Sequence, residues 1–142
     1  MWKEALEEFG SAPIHGSGYF ENYLPIDYSE AGFHHYLKER TDAADPSVPP
    51  PEGFVHCSYF WFVDDDDVLV GFLALRHELN QHLLEVAGHI GYGVRPSARR
   101  KGAATAALKL GVHEAQALGI DKVLLCVAGD NEASRNVIEK CG

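Results

Sequence analysis

A cluster of basic residues lies in an otherwise acidic chain. The 142 residues include 12 basic and 21 acidic side chains, which gives a formal net charge of −9. The segment "GYGVRPSARRKGAAT" covers residues 91–105. The seven positions from 95 to 101 include four basic residues, namely Arg95, Arg99, Arg100 and Lys101. Because an acidic chain repels extended polyanions such as nucleic acids and anionic membranes, we expect this local cluster to serve a small anion.

A phosphate group fits the local sequence best. A strand ending at Val94, a turn through Pro96 and a helix beginning near Gly102 leave N–H groups at the helix start without partners in the chain. These N–H groups and the positive end of the helix dipole favour phosphate or pyrophosphate, and the small residues at 102–104 let its oxygens approach the backbone. The patterns GxxxxGK[ST] and GxGxxG do not occur, which argues against a P-loop and a dinucleotide-binding motif.

The residues before the cluster predict two helices and an antiparallel hairpin. Apolar residues at helical spacing in "MWKEALEEFG" predict a helix that stops at Gly10, and "SEAGFHHYLKER" predicts a second helix capped by Ser29. The β-rich runs "FVHCSYFWFV" and "VLVGFLALRH" bracket four aspartates at 64–67, which is typical of a hairpin with a charged turn. The run "GHIGYGV" predicts the next strand.

The residues after the cluster predict two further helices and a buried strand. The run "GAATAALKLGVHEAQALG" predicts a long helix ended by Gly119, and "KVLLCVA" predicts a central strand covered on both faces. The run "GDNEASRNVIEKCG" predicts a helix that begins at Asp130 or Asn131 and ends at Gly142. Since no repeat or domain boundary is found, residues 1–142 are predicted to form a single domain.

The motif in the basic cluster resembles that of a known enzyme family. Arg99, Gly102 and Ala104 have the spacing Arg-x-x-Gly-x-Ala, which resembles the Q/R-x-x-G-x-G/A coenzyme A signature of the GNAT superfamily of acyl-CoA N-acyltransferases. The long helix and apolar strand that follow, and Asn131-x-x-Ser134 opening a last helix, are similar to the same family. The resemblance covers roughly residues 53–142 and is greatest to a branch with many bacterial members.

The resemblance implies an α/β (α+β) fold. The family has a mixed, mostly antiparallel central sheet with helices on both faces, splayed apart between its fourth and fifth strands. Its usual strand ahead of the first helix and its two strands beyond the position of Gly142 have no counterpart here, so we expect a domain truncated at both ends. An uncovered edge beside "KVLLCVA" would favour association, and we expect a homodimer or a marginally stable chain.

The resemblance also implies acetyl-CoA as the acyl donor. The strand groups around Tyr92 and Val94 would align the pantetheine arm, and an N–H there would polarise the thioester carbonyl. Asn131 and Ser134 would bond the pantetheine or thiol end. The pyrophosphate would be held by the segment at the helix start, namely by Arg99, Arg100, Lys101, Gly102, Ala103, Ala104 and Thr105.

Acetyl transfer to an amine requires that the amine lose a proton. If the acceptor has a pKa of about 10.4, only about 1 molecule in 2,500 is neutral at pH 7, so a base or an ordered water chain is needed. His89 and Glu85 are the candidate bases, with Tyr92 as a third; alternatively, these side chains are merely solvated or structural. Ile138 stands where many family members carry a tyrosine as general acid, which leaves the general acid unassigned.

These expectations combine into a prediction of function. We expect an N-acetyltransferase that moves an acetyl group from acetyl-CoA to a primary amine of a small molecule or peptide, directly and in a ternary complex. The alternative is a catalytically inactive coenzyme A binding module. The histidine and cysteine spacings lack HExxH and CxxC, so no metal is expected. No apolar run approaches the roughly 20 residues that span a bilayer, and we expect a cytoplasmic protein with no nucleic acid or membrane partner.

Overall fold

The computed structural model describes residues 2–10, 14–18, 26–86, 88–99 and 102–125. Within these ranges the helices are α1 (Trp2–Glu8), α2 (Glu30–Ala44), α3 (Gln81–Val86) and α4 (Ala103–Ala117). The strands are β1 (Cys57–Val63), β2 (Leu69–Arg76) and β3 (Ile90–Val94), and a short 3-10 turn covers Pro96–Ala98. None of the helices in the described ranges has the length and hydropathy that crossing a bilayer requires.

The three strands form one antiparallel sheet in the order β1-β2-β3. The predicted hairpin is confirmed, since Trp61 lies opposite Phe72. Its charged turn is closed by Asp64, whose carboxylate accepts hydrogen bonds from the N–H groups of Asp66 and Val68. Asp64 is therefore accounted for by turn formation, because a side chain that bonds the next backbone groups stabilises a turn locally.

Helices cover both faces of this sheet, as the family resemblance implies. On one face α1 and α2 bury an aromatic core around Trp2 and Phe72. On the other face α4 places Leu108, which is fully buried, against Leu73 and Ile90. The alternation of side chains along β2 separates the two cores, because Phe72 and Leu73 point to opposite faces. The fold is thus mixed α/β with a mostly antiparallel sheet.

The predicted helix ends agree with the structure. Ser29 caps α2, since its hydroxyl accepts a hydrogen bond of 3.1 Å from the N–H of Gly32. Gly10 follows α1 with a φ of +60°. Gly119 follows α4 with a φ of +87°, and the N–H of Ile120 donates to the carbonyl of Ala115 at 3.0 Å. This last pattern is a Schellman motif, which needs a left-handed residue that glycine adopts without steric cost.

The last predicted strand is described only at its start. Leu125 forms an isolated antiparallel bridge with Gly88, just before β3. The rest of "KVLLCVA" and the helix predicted to start at Asp130 or Asn131 lie outside the described residues. The truncation at both ends and the course of the splay past Leu125 therefore stay predictions.

Candidate functional site

The start of α4 has the geometry of an anion site. Gly102 is the N-cap, with a left-handed φ of +79°, and a Cβ at this position would have no neighbour within 4 Å. The N–H groups of Ala103 and Ala104 have no hydrogen-bond partner among the described residues. These two donors lie at the positive end of a 15-residue helix, which is where an anion is most stabilised.

Small side chains let this helix start lie close to the sheet. Val70, Val94 and Ala98 form a buried cluster, and the methyl groups of Ala103 and Ala104 pack against it. The 3-10 turn lies between β3 and α4, and in it the N–H of Ala98 donates to the carbonyl of Arg95 at 2.9 Å. The end of β3 and the first turn of α4 are therefore neighbours.

The basic residues at the site have different tasks. Arg95 is a structural residue, because its Nε donates to the Glu8 carboxylate at 2.8 Å and its Nη1 donates to the Leu69 carbonyl at 3.1 Å. Arg99 is folded back so that its Nε donates to the Val94 carbonyl at 3.1 Å, which holds its charge between β3 and α4. Arg100 and Lys101 lie outside the described residues.

One edge of β3 has the backbone groups that a pantetheine arm requires. The N–H of Arg76 donates to the His89 carbonyl, and the N–H of Arg95 donates to the Val70 carbonyl. Since hydrogen-bonded pairs alternate with non-bonded pairs in an antiparallel ladder, the backbone groups of Ile90, Tyr92 and Val94 point away from β2. The ring of Tyr92 packs on the α4 side of the sheet.

His89 fastens the start of β3 to the segment before Leu125. Its main-chain N–H donates to the Leu124 carbonyl at 2.8 Å, and its ring Nδ1 accepts from the Leu124 N–H at 2.9 Å. Burial lowers the pKa of His89 below its usual value, and the nearby charge of Arg76 lowers it further. The ring is therefore neutral with its proton on Nε2, and a proton taken up at Nδ1 would displace the Leu124 bond. Its role as the base stays a prediction.

Glu85 lies in a different environment. It is exposed near the end of α3, where its carboxylate accepts a hydrogen bond from the Gln81 side chain one turn earlier. Its catalytic role is likewise a prediction. Asn131 and Ser134 lie outside the described residues.

Two cavities lie on the α1–α2 side of the sheet. The larger, of about 430 Å³, runs between α2 and β1. The smaller, of about 120 Å³, lies under the 14–18 loop, and we call it the loop cavity; its lining residues are Ile14, His15, Gly16, Gly18, Tyr59, Ala74 and Arg76. Tyr59 lines both cavities.

The 14–18 loop lies directly on the backbone of β3. A Cβ at Gly93 would be 2.7 Å from the His15 carbonyl oxygen, and one at Gly16 would be 2.8 Å from the Gly91 carbonyl oxygen. Glycines inside a strand often mark the close approach of another backbone, so the "GYG" of β3 was the signal for this contact. The loop is held from α2, because the Tyr36 hydroxyl donates to the Ser17 carbonyl at 2.7 Å.

A metal centre is not found in the parts of the chain that the structure describes, where no group of three or more histidine, cysteine, aspartate or glutamate side chains comes together. Cys57 is buried, and this burial raises the pKa of its thiol. A buried thiol with a raised pKa is a poor nucleophile at neutral pH.

Comparison with known proteins identifies one family. The model of the Acetyltransferase (GNAT) family matches residues 19–142, which is most of the chain. No curated protein and no solved structure matches the chain.

Proposed function

Because the chain belongs to the GNAT family of acetyltransferases, we propose that it transfers an acetyl group from acetyl-CoA to a primary amine of a small molecule or peptide. GNAT acetyltransferases use acetyl-CoA as co-substrate and act on amine acceptors. The observation that supports the proposal best is that the N–H groups of Ala103 and Ala104, beside the outward edge of β3, have no hydrogen-bond partner among the described residues.

The donor site uses main-chain atoms. The pyrophosphate is bound by the N–H groups of the first turn of α4, with Arg99 beside it, and the left-handed Gly102 leaves open space in front of the helix. The outward backbone groups of Tyr92 and the N–H of Val94 align the pantetheine as an added strand and place a donor at the thioester carbonyl, while the Val94 carbonyl keeps its hydrogen bond from Arg99. The co-substrate supplies an activated acetyl group with a thiolate as leaving group.

The transfer is direct. The neutral amine attacks the acetyl carbon, the carbon–sulfur bond breaks, and no enzyme side chain becomes acetylated. His89 and Glu85 are the proposed bases, and solvent protonates the thiolate. Removing a general base lowers the rate by about 10²- to 10⁴-fold, so His89→Asn and Glu85→Gln measured side by side in a turnover assay distinguish the two. Loss of less than about tenfold in both would remove them as bases.

A pair of glycines on α4 gives a matched test of the donor site. Gly102 and Gly119 flank the two ends of the helix, and both have positive φ. Apart from their chain neighbours, neither has a described atom within 4 Å of the place that a Cβ would occupy. Either residue changed to valine strains the backbone by about 1–2 kcal/mol. We expect Gly102→Val to weaken acetyl-CoA binding at least tenfold in calorimetry, and Gly119→Val to leave it within about twofold. Equal affinities for the two variants would contradict the proposed site.

A second function is favoured by two observations. The Nδ1 of His89 already accepts a hydrogen bond, and Ile138 occupies the position of the family's usual general acid. A coenzyme A binding module without catalysis would bind acetyl-CoA in calorimetry yet consume none of it across a broad panel of amines. Consumption with any amine, at a rate above hydrolysis, eliminates this alternative.

A further inference from the structure

The outer edge of β1 is open along the larger of the two cavities. The N–H of His77 donates to the His56 carbonyl, and in an antiparallel ladder only every second residue of a strand bonds to a given neighbour. The backbone groups of Cys57, Tyr59 and Trp61 therefore point away from β2. The N–H groups of Tyr59 and Trp61 have no partner among the described residues. An edge of this kind is a template for another extended chain.

The cavity beside this edge follows the strand, and we call it the edge groove. It has a volume of about 430 Å³, and the described residues that line it lie between Tyr36 and Ala44 on α2 and between Ser58 and Trp61 on β1. Four strand residues at about 3.3 Å each extend for about 13 Å. An extended peptide segment of about four residues matches this length and pairs with the whole open edge.

Arg40 gives the edge groove a positive charge. Its guanidinium carbon lies 4.7 Å from the centre of the Tyr59 ring, and no aspartate or glutamate is among the described lining residues. The Nε of Arg40 is buried and lacks a hydrogen-bond partner within the described ranges. Glu39 lies 3.5 Å from Nη2, but it is not part of the described lining and is also 3.3 Å from His35. A ligand that carries a carboxylate therefore complements the groove.

The guanidinium of Arg40 is held in place before any ligand binds. Its Nη1 donates to the Gly18 carbonyl at 2.9 Å, and the group lies over the ring of Tyr36 as well as that of Tyr59. Burial raises the pKa of the Tyr59 hydroxyl far above its usual value, so this phenol carries no negative charge at neutral pH. A cation that is already oriented loses little conformational entropy when it binds an anion.

We propose that the edge groove is a docking site for an extended acidic peptide segment of a partner protein. The segment adds to β1 as a further strand, with its main chain bonded to Tyr59 and Trp61 and a carboxylate directed toward Arg40. The main-chain bonds supply affinity and the charge supplies selectivity. This docking does not depend on the proposed acetyl transfer, because β1 and the donor strand β3 lie on opposite sides of β2.

A second copy of this chain fits the groove less well than an acidic segment. Two β1 strands paired around a two-fold axis at Tyr59 would bring the Arg40 side chains of both copies together, since each lies against its own Tyr59 ring. Like charges at such short range repel. The exposed Val63 lies beyond the described lining of the groove, so pairing at that end of β1 does not require this contact.

A pair of peptides that differ in one charge tests the docking. The acetylated and amidated pentapeptides Thr-Val-Glu-Val-Thr and Thr-Val-Gln-Val-Thr have the same length and a similar strand propensity. In an NMR titration of the unmodified protein, we expect the acidic peptide to bind at least about tenfold more tightly, as a charge-assisted hydrogen bond predicts. Equal affinities, or no binding of the acidic peptide at about 1 mM, would overturn the proposal.

The same titration reports on strand pairing. The amide signals of Tyr59 and Trp61 should shift and their hydrogen exchange should slow, while Phe60, whose N–H is directed to β2, should change little. If the N–H groups of Tyr59 and Trp61 are already protected without peptide and no peptide binds, a second copy occupies the edge and the proposal is wrong.

Backbone methylation of the acidic peptide gives a matched test on the unmodified protein. Residues that face each other in an antiparallel pair share one face of the sheet, so a glutamate on the Arg40 side directs its own N–H to β1. Methyl groups on the nitrogens of the glutamate and the last threonine should weaken binding at least about tenfold. Methyl groups on the two valine nitrogens point away from β1 and should cost less than about threefold. Equal losses would contradict strand addition.

Two variants of α2 assign the preference for the acidic peptide. Arg40→Gln removes the charge but keeps a donor for the Gly18 carbonyl, and we expect it to reduce the preference to less than about threefold. Lys38→Gln removes a positive charge from the exposed face of the same helix, where Lys38 pairs with Asp42, and should leave the preference unchanged. An unchanged preference in Arg40→Gln, or an equal loss in both variants, would overturn the role of Arg40. The methylated peptides test the docking even if Arg40→Gln fails to fold.

Discussion

Glu8 connects α1 to the turn that precedes α4. Its carboxylate accepts hydrogen bonds from the Arg95 Nε at 2.8 Å and from the Ser97 N–H at 3.2 Å. Burial opposes ionisation of Glu8, but the bonds from Ser97 and Arg95 outweigh it and hold the pKa of Glu8 below its usual value. The ionised carboxylate therefore stabilises the fold, and this contribution is lost as the pH falls through the pKa of the folded state.

We expect Glu8→Gln to lower the free energy of unfolding by about 1–2 kcal/mol, because charge-assisted bonds to a partly buried arginine are lost. The measurement is urea denaturation at pH 7. Glu7→Gln is the matched control. Glu7 is half-exposed, and its carboxylate oxygen lies 3.9 Å from the Lys3 Nζ, which is too far for a hydrogen bond. A loss of equal size in the two variants would show that the Arg95 contact does not matter.

The neutral ring of His89 makes stability depend on pH. Its folded pKa lies below the ordinary value of 6.5, so both states are neutral above that pH and the contribution of His89 is complete. Below pH 6.5 the imidazole of His89 is protonated in the unfolded chain but stays neutral in the folded protein. The free energy of unfolding therefore decreases as the pH falls, until the folded pKa is reached. His77 has a pKa lowered by burial and acts in the same direction.

We expect His89→Asn to reduce this slope, because the asparagine oxygen can accept the Leu124 N–H without titrating. Part of the dependence of the unfolding free energy on pH should remain in this variant, because His77 also has a lowered pKa. Chemical denaturation at several pH values between 7 and 5 measures the slope, and His113→Asn on the exposed face of α4 serves as the control. A slope unaltered by His89→Asn would mean that the ring is not protected from protonation.

Residue roles could be predicted from sequence only where they are local. The roles proposed for Gly102, Ala103 and Ala104 follow from a motif of six consecutive positions at a helix start, and the N–H groups of Ala103 and Ala104 have no partner within the described ranges. Arg40 was missed because its position beside the edge of β1 depends on Gly18 and on the ring of Tyr59. Such contacts between distant parts of a chain leave no periodic pattern in it.

At the scale of elements, the sequence predicted more. Apolar residues at the spacing of a strand or a helix correctly predicted α1, α2, the β1–β2 hairpin, β3 and α4. Each of these elements buries one face in the core, and the apolar residues of that face recur with the period of the element. The short helix α3 was not predicted. It has six residues, too few for a periodic pattern, and its N-terminus is set by Asn80, whose side chain accepts from the Leu83 N–H.

The contact between the 14–18 loop and β3 can be tested with two glycines two residues apart on one face. We expect Gly93→Ala to cost about 1–3 kcal/mol, since its Cβ would lie 2.7 Å from the His15 backbone oxygen and force the loop away. The Cβ of Gly91→Ala would lie 3.6 Å from the Arg76 guanidinium and 3.9 Å from the Gly16 backbone nitrogen; both are ordinary van der Waals distances, so this variant should be neutral or slightly stabilising. Urea denaturation compares the two, and equal stabilities would contradict the close packing.

At the scale of the whole molecule, the association expected at the uncovered edge beside "KVLLCVA" remains a prediction, and the structure describes that segment only at its start. The described strands offer β1 as a second edge. In the described ranges β1 pairs with β2 alone, and Val63 at its end is 49% exposed. We expect the apparent mass in sedimentation equilibrium to rise with protein concentration. Val63→Lys should abolish this rise, because a charge on a strand edge blocks pairing. Leu110→Lys on the exposed side of α4 is the control. A monomer at all concentrations, with a cooperative melt at high temperature, would contradict the prediction.

At Gly93 no side chain separates the 14–18 loop from β3, so main chain rests on main chain there. If coenzyme binding along β3 displaces this strand, as the proposed function predicts, the loop must move with it. Any ligand held by the loop would then change the affinity for the coenzyme, and reciprocity requires that the coenzyme change the affinity for that ligand by the same factor.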